Sequence, residues 1–444
     1  MTGFAGVVKS GTRQAGSTAP PGGPPGGPAK DPFLEQARRA DAADPLAGFR
    51  DEFVIADPAV VYLDGNSLGR LPRTTRDRLH EAVDAWGGDL IDGWRRWLPL
   101  SREIGDLVAG IVGAEPGEVV LSDSTGVNLY KLAVAALDAR PGRDVIVTDD
   151  DNFPTDRYIL DGIAAARGMT VHQIPVDPDE GLRTSDVAAA LDERVALVCL
   201  SHVAYRSGTV TDLAEVTAAA HRHGALVLWD LCHSAGAVPV ELSSAGVDLA
   251  VGCTYKYLNG GPGSPAFLYV RRELQDRLRQ PIWGWFGQSD QFAMGPVYRP
   301  APAIERFLVG TPPVLAAYAA QEGIRLTAAA GIGAIAAKAR GLTAYAQQLA
   351  DAWLVPLGFR VASPASLERR GAHLALHHPA AWQVCQAAKS VGVIPDFRTP
   401  QRLRLGFPPL YTRYVDLHTG LSRLRDAVAA GRHLEFPETA DGPT

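Results

Sequence analysis

Apolar and polar positions alternate along this chain in two different rhythms. Between about 105 and 270, short β-rich apolar runs fall at 145–147, 170–174, 196–201, 226–230, 247–253 and 266–270. Between several of them lie amphipathic stretches with helical spacing, at 128–139, 155–167, 185–191 and 212–223. The last opens on Asp212-Leu-Ala-Glu215, an N-cap acid with a capping-box partner. Strand–helix alternation of this length predicts an α/β fold with a mostly parallel central sheet covered on both faces. Ligands of such sheets bind beyond the carboxyl ends of the strands. After about Gly310 the rhythm changes to an Ala-rich helix (about 313–330), another helix, short strands and a final helix near 413–431, which predicts a smaller α+β domain. Upstream, Val60-Val-Tyr-Leu63 reads as a short strand running into an Asp-Gly-Asn turn, followed by a helix from Arg73 to Trp86. Trp86, Trp94 and Trp97 are expected to cluster in the next loop, as packing or as an aromatic ligand wall.

Composition sharpens the boundaries. The Pro/Gly/Ser/Ala-rich residues 1–30 cannot bury enough apolar surface to offset their ordering entropy and are expected to be a disordered tail. The remainder divides into an N-terminal segment at 31–74 packing on the small domain, a large domain at 75–312 and a small C-terminal domain at 313–444. With 444 residues, 46% of them hydrophobic, a large core is available, and a net charge of −6 suggests neither a nucleic-acid nor a membrane surface. The four cysteines, Cys199, Cys232, Cys253 and Cys385, lack any metal-binding spacing, so no metal is expected. Three of them lie in or beside expected strands, where free thiols behave as small hydrophobes, and a reducing cytoplasm fits best. No apolar run approaches membrane-spanning length.

The candidate chemistry sits at strand ends. Val247 to Val251 delivers Lys256 into the loop Thr254-Tyr-Lys-Tyr-Leu-Asn-Gly-Gly261, where a poorly hydrated lysine beside aromatic rings suits Schiff-base chemistry. Leu226-Val-Leu-Trp-Asp230 ends a second strand in a carboxylate, with His233 three residues on. Either residue alone reads as an ordinary strand-end charge. Together, in this order, they suit pyridoxal phosphate (PLP): the carboxylate keeps the ring nitrogen protonated and the lysine holds the aldehyde. Ser122 to Asn128 enters a helix whose N-terminus could hold a phosphate through Thr125 and Gly126, or could be an ordinary Ser/Thr cap. Phe153-Pro154-Thr155-Asp156 opens another helix, and Phe153 could lie against a flat heterocycle or pack on its own domain. Ser201 and His202 leave a strand in a polar loop, His202 reading equally as a surface residue. Trp283-Gly-Trp285-Phe-Gly287 is an aromatic loop of pocket-lining type, and Thr311 precedes Pro312-Pro313 at a helix start. Arg402 and Arg404 alternate on one strand face, placed for a carboxylate or simply exposed on an edge strand.

In sum these residues resemble kynureninase, within the fold-type I, class V aminotransferase-like PLP enzymes. The resemblance spans about Asp51 to Leu421 and rests on Tyr62-Leu-Asp-Gly-Asn-Ser-Leu-Gly69, Asn152-Phe-Pro-Thr-Asp156, Trp229-Asp-Leu-Cys-His-Ser-Ala-Gly236, Thr254-Tyr-Lys-Tyr-Leu-Asn-Gly-Gly-Pro-Gly263, Trp285-Phe-Gly and Gly310-Thr-Pro-Pro313. It implies hydrolytic Cβ–Cγ cleavage of L-kynurenine, or a ring-substituted kynurenine, to anthranilate and L-alanine. It assigns Lys256 to the Schiff base and proton transfer, and Tyr255 to the phosphate and a proton relay. Asp230 would pair with the ring nitrogen, while His233 and Ser201 contact the ring or its substituents. Phe153 would pack on the ring, with Pro154, Thr155 and Asp156 beside it, and Thr125 and Gly126 would hold the phosphate. Arg404, with Asn66 and Ser67, would bind substrate. Trp285 and Thr311 would come from the partner subunit of an obligate homodimer. Animal members carry Asn where this chain has Thr311, which leans toward kynurenine over the 3-hydroxy compound. The competing readings are an aminotransferase, a cysteine desulfurase (which places His, not Tyr255, before the lysine) and a non-catalytic scaffold, whose members typically lose the lysine or the aspartate that Lys256 and Asp230 supply here.

Overall fold

The computed structural model describes residues 31–438; the expected disordered tail at 1–30 lies outside them. The first strand, β1 (Val61–Tyr62), is short and pairs far from its neighbours in sequence. The large sheet follows: β2 (Val119–Leu121), β3 (Val145–Asp149), β4 (Thr170–Ile174), β5 (Val195–Ser201), β6 (Leu226–Asp230), β7 (Leu249–Gly252) and β8 (Phe267–Val270). They lie in the order β2-β8-β7-β6-β5-β3-β4. The run from β7 to β4 is parallel, and β8 and β2 close one edge antiparallel. Continuous apolar runs are what a two-sided sheet demands: every residue of β3, β6, β7 and β8 is buried. Edge strand β4 carries a solvated Thr-Val-His-Gln sequence instead.

Register aligns the strand ends that carry chemistry. Ser201 lies opposite Asp230 across β5 and β6, and Asp230 opposite Val251 across β6 and β7. The helices reaching these ends start for local reasons. Helix Thr125–Asp138 is capped by Ser124, whose Oγ accepts from the Val127 amide at 3.4 Å. Helix Pro154–Arg167 begins with proline at its first position, where no amide is missed, and ends at Gly168 with φ 67°.

The second sheet, in order β12-β13-β10-β9, comprises β9 (Arg360–Val361), β10 (His373–His377), β12 (Asp396–Arg398) and β13 (Arg402–Gly406), all antiparallel. β13 is therefore interior, so Arg402 and Arg404 are not exposed edge residues: both are buried. β11 (Val393–Ile394) pairs parallel with β1. The N-terminal helix Pro32–Ala42 is pinned to helix Tyr414–Ala429, since Asp41 accepts from the Tyr414 and Val415 amides at 2.7 and 3.0 Å. The residues at both ends of the described chain thus fold together.

One expectation is corrected here. Trp86 belongs to the helix Arg73–Asp89 and is solvent-exposed, not part of a loop cluster. Trp94 and Trp97 form a short helical turn, pack edge to face at 5.4 Å, and back onto Phe286 through Trp94. Both buttress a cavity wall without reaching its surface.

Candidate active site

The carboxyl ends of β5, β6 and β7 open into a cavity of about 750 Å³. Its lining includes Thr125, Gly126, Phe153, Thr155, Asp156, Ser201, Asp230, His233, Tyr255, Lys256 and Thr311. Lys256 reaches it four residues beyond the end of β7, from a loop that glycine contacts hold in place. Gly69 of the N-terminal segment donates its amide to the Tyr255 carbonyl at 2.8 Å, and a methyl there would come within 2.4 Å of the Lys256 carbonyl oxygen. Gly323 lets helix Val314–Ala330 approach the other side, where a Cβ would fall 2.2 Å from the Leu258 carbonyl oxygen.

Lys256 Nζ lies 2.9 Å from His233 Nε2 and 5.9 Å from the centres of the Phe153 and Tyr255 rings. Burial, reinforced by the charges of Lys256 and Arg404, holds the His233 imidazole well below its usual range, so it is neutral. Tyr255 is held above the usual phenol range by the neighbouring Cys253 and by burial, which keeps its proton on the oxygen.

The cavity also presents a carboxylate pair. Asp230 accepts from the Cys232 amide at 2.8 Å. Burial and the adjacent Asp230 push the Asp156 carboxyl well above its ordinary range, so Asp156 holds its proton. Asp156 Oδ2 is buried without a hydrogen-bond partner. A buried acid pair with an unsatisfied oxygen, facing a cavity, fits a protonated ring nitrogen. A capped helix N-terminus at Thr125 and Gly126 fits a phosphate in the same space. Both halves of PLP thus find matching chemistry.

Behind this wall Ser201 donates to Asn152 Oδ1 at 2.5 Å, and Asn152 also takes the Phe153 amide at 2.8 Å, fixing the turn that carries Phe153. Tyr205 stands edge to face with Phe153 at 5.3 Å. Its backbone oxygen accepts from Arg404 Nη1 at 2.5 Å. Lys131, fully buried, ties the phosphate-side loop together by reaching Asp123 at 2.7 Å, Ser122 at 3.1 Å and the Phe307 carbonyl at 2.8 Å.

Not every expected residue reaches the cavity surface. Pro154 shapes the helix start behind it. Trp285 packs edge to face on Phe286, and it is Phe286 that lines the wall. Thr311 lines the cavity of its own chain. His202 is buried against Trp229, not a surface residue. Arg404, Ser67 and Asn66 form a separate nest. Arg404 is ion-paired with Asp396 (Nε to Oδ2, 2.7 Å), Ser67 sits 3.2 Å from the same oxygen, and Asn66 is fully buried against Gly406. Asp64 lies in this nest too, its carboxyl pushed up to about 6 by burial and by Asp396. Asn152, Tyr205, Lys131, Cys232 and Cys253 were not singled out from the sequence as site residues, although Cys232 and Cys253 flank the Asp230 and Lys256 motifs.

Comparison with known proteins agrees with this geometry. The class-V aminotransferase family matches residues 98–371 and the kynureninase C-terminal domain matches residues 335–424. A kynureninase from Burkholderia pseudomallei (strain 1106a) is 43% identical over 420 residues, covering 91% of this chain and 98% of that protein. One from Pseudomonas fluorescens is 41% identical over 386 residues, covering 85% and 91%. Among solved structures, a cysteine desulfurase from Thermococcus onnurineus superposes with a TM-score of 0.73 at 20% identity, covering 89% of this chain and 98% of that one. A C-DES variant with glycine covalently linked to its PLP cofactor gives 0.73 at 18% identity, covering 85% and 99%. These structures share the fold, while the closer sequence relatives narrow it: the chain belongs to the kynureninase family of PLP-dependent hydrolases, built on the class-V aminotransferase fold.

Proposed function

We propose that the cavity cleaves L-kynurenine with water to give anthranilate and L-alanine, with Lys256 as the cofactor-bearing residue. The observation that carries this reading is the convergence of Lys256, the Asp156–Asp230 pair and the Thr125 helix N-terminus on one cavity. Bound there, PLP supplies an electron sink for the charge that develops at the substrate α-carbon. Asp230, with Asp156, holds a proton on the ring nitrogen. The Lys256 amine, beside the neutral His233, takes and returns the proton at the α-carbon. Tyr255 keeps its phenolic proton and so acts as a donor toward the leaving side of the substrate. Phe153, braced by Tyr205, holds the ring plane, and Thr125 and Gly126 bind the phosphate.

The substrate carboxylate is assigned to Arg404, with Asn66 and Ser67 beside it. Arg404 bonds to the carbonyl of cavity-lining Tyr205, which sets the arginine directly behind the cavity wall. A homodimer is supported by apolar side chains left in solvent: Val127 and Tyr130 on the phosphate-side helix, and Phe292, Met294 and Val297 in the segment after Trp285. Trp285, also partly exposed, is then placed to contribute to the neighbouring site. The cytoplasm remains the expected compartment, and among the described residues no helix is long and apolar enough to cross a membrane.

The test is turnover of L-kynurenine with added PLP, following anthranilate fluorescence and alanine. Wild type yields the two products in equal amounts and Lys256→Ala yields neither. A PLP-loaded protein that leaves kynurenine untouched would refute the substrate and keep the cofactor site.

A further inference from the structure

Two of the four cysteines stand side by side in the cofactor cavity, and the reaction above uses neither. β6 and β7 run parallel with Asp230 opposite Val251, and their last rung is the Leu231 amide donating to the Val251 carbonyl at 2.7 Å. Beyond it the Leu231 carbonyl turns to the Ser234 and Ala235 amides, both at 3.0 Å, and the Cys253 amide meets the Cys232 side chain instead. Both cysteines line the cavity. The contacts confirm how close the pair lies: the Cys253 amide points at Cys232 Sγ (3.2 Å), and Cys253 Sγ lies 3.7 Å from the Cys232 carbonyl oxygen. Both thiols are reduced in this structure. Cys232 Sγ also touches Thr125 Oγ1 at 3.6 Å, at the start of the phosphate-side helix.

We propose that Cys232 and Cys253 are a modification site, converted by a peroxide into a reversible disulfide that loosens the hold of the cavity on PLP. The Cys253 sulfur attacks one peroxide oxygen, the O–O bond breaks, and the departing hydroxide takes the Cys253 thiol proton to leave as water. The Cys232 sulfur then attacks the sulfenic sulfur of Cys253, the S–O bond breaks, and the hydroxyl departs with the Cys232 thiol proton as a second water. Two thiols and one peroxide give one disulfide and two waters, the two electrons passing from sulfur to oxygen. A dithiol reverses the change. Cys253 suits the first step: burial alone would raise its pKa, but the hydrogen bond with Cys232 and the charge of Lys256 bring it below the usual thiol range. The other two thiols are poorly placed to react, since Cys199 and Cys385 are fully buried and do not line the cavity. Bridging draws the Cys232 sulfur toward Cys253 and away from Thr125, so the phosphate end of the cavity is where the change is felt.

The experiment treats the PLP-loaded enzyme with stoichiometric hydrogen peroxide and maps peptides under non-reducing conditions. A cross-linked peptide joining Cys232 to Cys253, two hydrogens lighter than the free pair, is expected, with titratable thiols after denaturation falling from the four free cysteines to two. PLP should leave the oxidised protein at least about tenfold faster on dialysis, and dithiothreitol should restore both thiols and retention. Cys232→Ala should abolish the cross-link, and Cys385→Ala should keep it. Thiols that stay at four, or are lost singly without a cross-link, would overturn the proposal. So would a cross-link that forms without changing PLP release, which would leave the bridge as chemistry with no consequence for the site.

Discussion

The ends of the large sheet and the interior of the small one handle charge in opposite ways. In the cavity, charge is left unmet: burial beside Asp230 holds the Asp156 carboxyl above its ordinary range, and Lys256 faces a neutral imidazole rather than a carboxylate. In the nest under the second sheet, the arginines are answered within the protein, Arg404 by Asp396, Ser67 and the Tyr205 carbonyl, and Arg402 by Asp179, while Asp64 beside them keeps a raised carboxyl. An unmet charge in a cavity is a demand for a ligand; a paired one is a fixed strut or a partner waiting to be exchanged. The first region therefore specifies a cofactor outright. The second binds substrate only if Arg404 releases part of its guanidinium from Asp396 or offers its remaining donors.

That contrast can be broken from the substrate side first. Arg404→Lys keeps the charge but loses the planar fork, and should raise KM for kynurenine by about a hundredfold while PLP binding stays within about twofold. An unchanged KM in steady-state assays would reassign Arg404 to a purely structural pairing with Asp396. The cavity side responds differently. Asp156 has a folded-state pKa raised above its ordinary 3.8, so its contribution to the stability of the PLP-free protein is present at low pH and lost as pH rises. Asp156→Asn should therefore raise the melting temperature of PLP-free protein at pH 8, with the gain vanishing toward pH 3.8, and should weaken PLP binding by about tenfold. A variant that melts lower without PLP would contradict the unmet-charge reading.

The smallest effect lies between the two regions. His373, buried 5.6 Å from the His233 ring, is pushed down to about 3 from 6.5, chiefly by burial and then by Arg404. A depressed imidazole contributes stability that is complete above pH 6.5 and is lost as pH falls toward 3. His373→Gln should flatten the acid limb of the stability profile by at most about 1.4 kcal/mol per pH unit, read from urea midpoints. An unchanged slope would show that His373 is not the group being titrated.

The two regions also differed in how far the sequence announced them. β5 and β6 are continuous apolar runs ending in Ser201 and Asp230, and β7 is an apolar run leading into the glycine-rich loop of Lys256, so Asp230 and Lys256 could be placed from the sequence. The alternation of Arg402 and Arg404 was equally plain, yet nothing local said that β12 would lie alongside and set Asp396 against Arg404, because that pairing depends on hairpin register. β2 escaped notice because three residues, Val119 to Leu121, carry too little periodicity. Tyr205 was hidden in a polar loop whose course only tertiary packing decides. The adjacency of Cys232 and Cys253 is an intermediate case: both strands were legible, and what was missing was how the turns beyond their ends meet.

The central claim is that Lys256 is the residue to which this cavity bonds PLP. Borohydride reduction of the PLP-loaded protein, followed by peptide mapping, fixes the label where the Schiff base formed. The phosphopyridoxyl group is expected on Lys256 alone, at one per chain, and absent from Lys256→Ala. A label on another lysine, such as Lys131, or no label on protein that has taken up PLP, would contradict it.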